Sequence, residues 1–165
     1  MSEMLVADAL GGLLSPHKSL STWLLYDQMG CVLFDRITTL PEYYLTLAET
    51  DVLARSADDI LATAADDGAT FALAEIGAGS ATKTELLISA ALRRQHACEY
   101  LACDITPGPL AAAASRLRAT YSGVSVRTFA GTHLEAGPSL ASLRGRQALA
   151  PLPARAIDEA PGLRR

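Results

Sequence analysis

A chain of 165 residues, half of them apolar, is long enough to bury one core and too apolar to remain disordered. Its formal net charge of -4 comes without a basic stripe, which argues against a partner bound through nucleic-acid phosphates. Glu3 and Asp8 stand where a secretory leader needs positive charge, and no apolar run reaches bilayer-spanning length, so a cytoplasmic protein without membrane contact is expected.

Residues 1 to 20 mix Gly11, Gly12, Ser15 and Pro16 with scattered apolar side chains and read as an irregular lead-in. From Ser21 the text becomes "STWLLYDQMGCVLFDRITTLPEYYLT", which gathers most of the aromatics of a chain poor in them. Thr46 followed by Glu49 forms a capping box, and helical composition continues to about Ala65, where Asp66, Asp67 and Gly68 stop it. "TFALAEIG" is a short buried strand, Thr84 to Arg94 a helix ending in two arginines, and "EYLACDI" a second apolar strand. Thr106 and Pro107 start another helix whose alanine-rich body runs through Leu117, and "VSVRTFA" is a third strand.

Strands separated by helices at these lengths predict an α/β fold with a parallel sheet, so the turn after the first strand opens at the sheet's carboxyl edge. Beyond Gly131 the pattern lapses. A fourth strand starting at Gln147 is ragged at most, because Pro151 and Pro153 remove ladder donors. The expected division is an N-terminal helical segment at 1–68, a cofactor-binding core with three clear strands at 69–131, and a divergent, poorly ordered tail at 132–165. A sheet this small leaves an open edge, so self-association is a reasonable expectation. Cys31, Cys98 and Cys103 form no CxxC with matching histidines and read as reduced thiols packed as small apolar residues, with no metal site.

The chemistry concentrates in "AEIGAGSATKTELL", residues 74 to 87. A P-loop needs a second glycine where Thr82 stands, and a β-branched residue there obstructs the backbone's wrap around a phosphate. The dinucleotide fingerprint fails at the same residue, yet its acidic partner is present: Asp104 ends the second strand some 25 residues beyond Gly79, placed to accept from ribose hydroxyls. Glu75 adds negative charge beside Gly77 and Gly79, which disfavours a phosphate and suits a cofactor carrying a positive centre and an amino group. S-adenosylmethionine has those features. The plainer alternative is a tight strand-to-helix turn with a solvated acid.

The words "LLYDQMGCVLFDRITTLPEYYLTLAE", "AEIGAGSATKTELLISAA" and "YLACDIT" resemble the histidine-specific methyltransferase family, whose best-known members methylate the α-amine of L-histidine at the start of ergothioneine biosynthesis. The resemblance covers about residues 21 to 131 and implies a truncated Rossmann-like methyltransferase fold that uses S-adenosylmethionine. It implies that Gly77, Gly79 and Lys83 line the cofactor turn with Asp104 on the ribose, and that Tyr26, Phe34 and Tyr43 face a small amino-acid substrate. Ring faces stabilise the quaternary cation that methylation of an amine produces. The bland reading of those aromatics is that they are helix packing. Methyl transfer from a sulfonium asks mainly for proximity and exclusion of water, so no side chain is assigned a catalytic role.

The chain departs from the family in its tail, "LPARAIDEAPGLRR", which stands where relatives complete the substrate pocket and reads as a frame change or truncated gene. Thr132 also replaces an aspartate that many relatives place near adenine. Turnover by so short a chain is expected to be absent or very low. Two further readings stay open: a non-catalytic cofactor-binding or interaction module recruiting a partner at the sheet edge, and a P-loop nucleotide-binding protein.

Overall fold

A computed structural model describes residues 3–64, 70–143 and 147–149. In chain order the elements are α1 (Glu3–Leu14), a short 3-10 helix (Thr22–Leu25), α2 (Gln28–Ile37), α3 (Tyr44–Ala64), β1 (Phe71–Ile76), α4 (Thr84–Gln95), β2 (Cys98–Asp104), α5 (Pro107–Thr120), β3 (Val124–Ala130), α6 (Gly137–Ala141) and β4 (Gln147–Leu149). The sheet is parallel and ordered β3-β2-β1-β4. Leu73 lies beside Tyr100 and Tyr100 beside Val126.

Alternation along the central strands sorts their side chains onto two faces. Phe71 and Leu73 of β1 join Cys98, Tyr100 and Ala102 of β2 under Leu61, Leu87, Ile88, Leu110 and Leu117 from α3, α4 and α5. Ala72, Ala74, Leu101 and Cys103 face the other way, against Ala136 and Leu143 with Phe129 and Leu140 at the margin. Burial on both faces is why β1 and β2 read as continuous apolar runs rather than alternating ones. Gln95 fixes the start of β1 by bracketing Phe71: its amide nitrogen donates to the Phe71 carbonyl at 2.9 Å and its oxygen accepts the Phe71 N–H at 3.1 Å.

The three expected strands form where they were read, and the ragged fourth is β4, three residues paired with the start of β1. Residues 132–143 also pack, through Ala136, Leu140 and Leu143. Two local expectations need correction. The irregular lead-in is α1: its leucine- and alanine-rich text favours a helix, and Gly11 and Gly12, taken as punctuation, are carried inside it at a modest cost. Thr46 is not a cap either, since α3 begins at Tyr44; its carbonyl accepts the Thr50 hydroxyl at 2.7 Å and Glu49 turns to another partner. The expected stop at Asp66 to Gly68, and Pro151 and Pro153, lie outside the described residues.

Ahead of the sheet, α2 buries none of its residues. Among the described residues no helix is long and apolar enough to cross a membrane.

Candidate functional site

The carboxyl ends of the three long strands converge on Asp104. The turn after β1 folds back because the Gly77 and Ala78 N–H groups both donate to the Cys103 carbonyl, at 2.8 and 3.0 Å. Gly77 and Gly79 take φ of 75° and 52°, values that only glycine adopts without strain. Ala81 has φ 53° in the same loop, an uncommon conformation for a residue with a Cβ. Asp104 ties the turn to the next crossover: its Oδ2 accepts the Gly79 N–H and its Oδ1 the Thr106 N–H, both at 2.9 Å, while its carbonyl accepts the Gly131 N–H at 2.9 Å. A carboxylate oxygen has further acceptor capacity after one such bond. A Cβ built on Gly79 would meet nothing within 4 Å, so a ligand can approach the turn's backbone there.

Glu75 and Lys83 sit differently from those three. Glu75 is buried beneath the turn, where its Oε2 accepts the Thr84 and Tyr100 hydroxyls, each at 2.5 Å. Burial raises its pKa, while the two hydrogen bonds and the Lys83 charge pull the other way. The Tyr100 hydroxyl is pushed up by its own burial and then by the Glu75 charge. Lys83 lies at the head of α4 and forms an ion pair with Glu49 of α3, both side chains about a third exposed. At the turn the Lys83 ammonium is already paired with Glu49 while Asp104 adds a further carboxylate, a balance that suits a cationic ligand better than a polyphosphate.

The aromatic residues belong to the helices in front of the sheet. Phe34 and Tyr43 meet edge to face, ring centres 5.8 Å apart at 81°. Tyr26 comes to the strand ends through its main chain: its carbonyl accepts the Thr106 hydroxyl at 3.0 Å, across 80 residues of sequence. The Y-D-x-x-G word gains a local explanation. Asp27 caps α2 by accepting the Gly30 N–H at 2.6 Å, and a Cβ on Gly30 would collide with the Leu25 carbonyl at 1.8 Å, so only glycine lets the chain turn this sharply beside Tyr26.

The structure thus brings Gly77, Gly79 and Asp104 into one hydrogen-bonded unit, sets Lys83 on a neighbouring ion pair and ties the main chain of Tyr26 to it. Sequence reading missed Thr84 and Tyr100 as partners of Glu75, Glu49 as the partner of Lys83, and Thr106 as more than a helix start. The "LPEYYLTLAE" word held the only signal for Glu49. The cysteines are free, and burial pushes the thiols of Cys103 and Cys98 up, the latter to about 12, so neither is a ready thiolate. Among the described residues no group of three His, Cys, Asp or Glu side chains is gathered for a metal.

Comparison with known proteins identifies the family. The family described as histidine-specific methyltransferase, SAM-dependent, matches residues 5–154. A histidine N-alpha-methyltransferase of Mycobacterium tuberculosis (strain CDC 1551 / Oshkosh) is 38% identical over 125 residues, covering 75% of this chain and 37% of that protein. Its counterpart in Mycolicibacterium smegmatis (strain ATCC 700084 / mc(2)155) is 34% identical over 131 residues, covering 79% of this chain and 39% of the relative. Ergothioneine biosynthesis protein 1 of Schizosaccharomyces pombe (strain 972 / ATCC 24843) is 33% identical, with 79% of this chain and 18% of the relative covered. Among solved structures, DszA carbon methyltransferase aligns with a TM-score of 0.45 at 16% identity, over 67% of this chain and 29% of that one. The chain spans less than two fifths of the length of these curated relatives. It belongs to the family of histidine-specific, S-adenosylmethionine-dependent methyltransferases.

Proposed function

We propose that this chain is the cofactor-binding part of an N-methyltransferase that acts on the α-amine of an amino acid such as L-histidine, in the cytoplasm. The observation that carries the reading is the Asp104 carboxylate, bonded to the Gly79 N–H at 2.9 Å on a turn whose outer face is open. Bound S-adenosylmethionine supplies an activated methyl group. The chain's own residues then have a limited task. Asp104 accepts from the ribose hydroxyls, the backbone at Gly77 and Gly79 lets the cofactor's amino-acid end come close, and Lys83 offers an ammonium to a carboxylate. Glu75 keeps the turn in shape from below through Thr84 and Tyr100. Tyr26, Phe34 and Tyr43 flank the amine from the helical segment 1–68, while 69–131 holds the cofactor. The transfer needs the amine in its neutral form, its ammonium proton lost to solvent, and within reach of the activated methyl group, so proximity carries the step and no side chain of this chain is assigned the proton. Three free cysteines fit a reducing compartment.

The test is calorimetric titration of the purified chain with S-adenosylhomocysteine, with ATP and magnesium as the control. Asp104→Asn, which removes the charge and sets an amide NH2 group against either the Gly79 or the Thr106 N–H, is expected to weaken binding at least about tenfold in a chain shown by circular dichroism to stay folded. Equal affinity in the variant, or tighter binding of ATP, overturns the reading. A second reading has one observation behind it: Leu10, Leu14, Leu25, Met29 and Leu47 are each at least half exposed, which favours an interaction module that a further polypeptide covers.

A further inference from the structure

The hydroxyl of Thr106 makes a contact that helix chemistry does not require. Thr106 immediately precedes α5, where a threonine side chain ordinarily accepts a backbone N–H two or three residues on, and here it makes no such bond. Pro109, three residues on, has no N–H to offer. The hydroxyl instead donates to the Tyr26 carbonyl at 3.0 Å and accepts from the Cys31 Sγ at 3.8 Å, so it grips the chain on both sides of the α2 cap. Its own N–H donates to Asp104 Oδ1, and Asp104 Oδ2 accepts the Gly79 N–H. Thr106 is only 8% exposed, which shelters these bonds from competing water.

Gly79, Asp104, Thr106 and Tyr26 therefore form one series of hydrogen bonds, running from the cofactor turn into the segment that precedes α2. We propose that Thr106 is a positioning residue: its hydroxyl couples occupation of the turn to the placement of residues 22–31, which bear Tyr26. A ligand that engages Asp104 stiffens the carboxylate that holds the Thr106 N–H, and the same residue's side chain passes that order to the Tyr26 carbonyl. The anchoring is a property of the chain alone, whereas the coupling rests on the cofactor reading given above.

Amide hydrogen exchange of the full chain, followed by mass spectrometry with and without S-adenosylhomocysteine, separates these parts. Without ligand, Thr106→Val is expected to speed exchange in peptides covering 22–31 about fivefold, as loss of one hydrogen bond would, and to leave 98–104 unchanged. With ligand, the parent chain gains protection at 77–84 and at 22–31; Thr106→Val gains it at 77–84 only, and Thr106→Ser, which keeps the hydroxyl, regains both. Unchanged exchange at 22–31 in Thr106→Val removes the anchor. Acceleration that runs equally through 98–104 means plain loss of the fold, and protection that still spreads to 22–31 without the hydroxyl means no coupling; either result overturns the proposal. If the ligand protects nothing in the parent chain, the cofactor reading falls and with it the coupling, while the anchor is still judged on the ligand-free peptides.

Discussion

The two ends of this chain obey different rules. From Phe71 to Ala130 the sheet and its helices bury Leu73, Leu87, Ile88, Tyr100, Leu101 and Leu117 to 1% exposure or less. Ahead of Ala57 no side chain that the structure describes is buried, and leucines on α1, α2 and α3 face solvent. Apart from Leu53 of α3, which packs against the core, what holds the front segment is directional: the Asp27 cap, the Ser21 hydroxyl on Asp8, the Thr106 bond to Tyr26 and the ion pair of Glu49 with Lys83. Area burial fixes the half built on the sheet, and a few polar contacts aim the half that carries the aromatics. A segment held in that way costs little to reposition, which fits the substrate-facing role proposed for its aromatics.

The most severe test of that contrast uses one substitution in both halves. Leu73→Ala, at a residue that is 0% exposed between α4 and the sheet, is expected to cost about 2–5 kcal/mol in urea unfolding. The same change at Leu47, 61% exposed, should stay within about 0.5 kcal/mol. A comparable loss at Leu47 would mean that the front helices are buried in solution, by a second copy or another polypeptide, and would erase the distinction.

How much of each half could be read from the sequence follows the same division. β1 and β2 are legible because burial on both faces leaves nearly unbroken apolar text between turn signals, as in "FALAEI" and "YLAC", whereas β3, mostly exposed, is legible from the β-branched alternation of "VSVRTFA". Asp104 is legible in position, as the carboxylate that ends β2 beside the glycine turn, where it accepts the Gly79 N–H. α1 was not legible: its apolar residues are not segregated to one face, and the glycine pair reads as a break. Thr106 was read correctly as the start of α5 and Glu49 wrongly as part of a capping box, but for both the local helix-end signal hid a side chain that bonds to a residue 80 or 34 positions away. Local grammar found the start of α5, misplaced that of α3, and is silent on long-range polar contacts. The carboxylate of Glu75 was assigned to the cofactor for the same reason, since nothing in "AEIG" announces Thr84 and Tyr100 as its partners.

Glu75 lies where the turn meets the core, and its burial gives a pH signature. Its pKa in the folded chain is raised above 4.5, so the folded state binds its proton more tightly than the unfolded state does. Its contribution to stability is therefore fully present below about pH 4.5 and is lost as the pH rises through the folded-state value. Glu75→Gln keeps an acceptor for Thr84 and Tyr100 without a charge to desolvate. Its urea midpoint should gain on the parent as the pH rises from 4 toward 7, and parallel curves would show that the carboxylate is stabilised where it stands.

The smallest effect is expected at the joint between the halves. Glu49 of α3 and Lys83 at the head of α4 form an ion pair with both side chains about a third exposed, and such pairs contribute about 0.2–1 kcal/mol. Glu49→Gln should lower stability by no more than that, and the difference should shrink in 1 M salt, where the screening length falls to about 3 Å. The same change releases the Lys83 ammonium beside the glycine turn. If Lys83 serves a ligand carboxylate, Glu49 competes for it, and S-adenosylhomocysteine should bind Glu49→Gln at least as tightly as the parent, with adenosine, which has no carboxylate, indifferent to the change. Weaker binding of both ligands would mean instead that the ion pair braces the turn, and the front segment would then contribute to cofactor binding through the fold rather than by restraining a lysine.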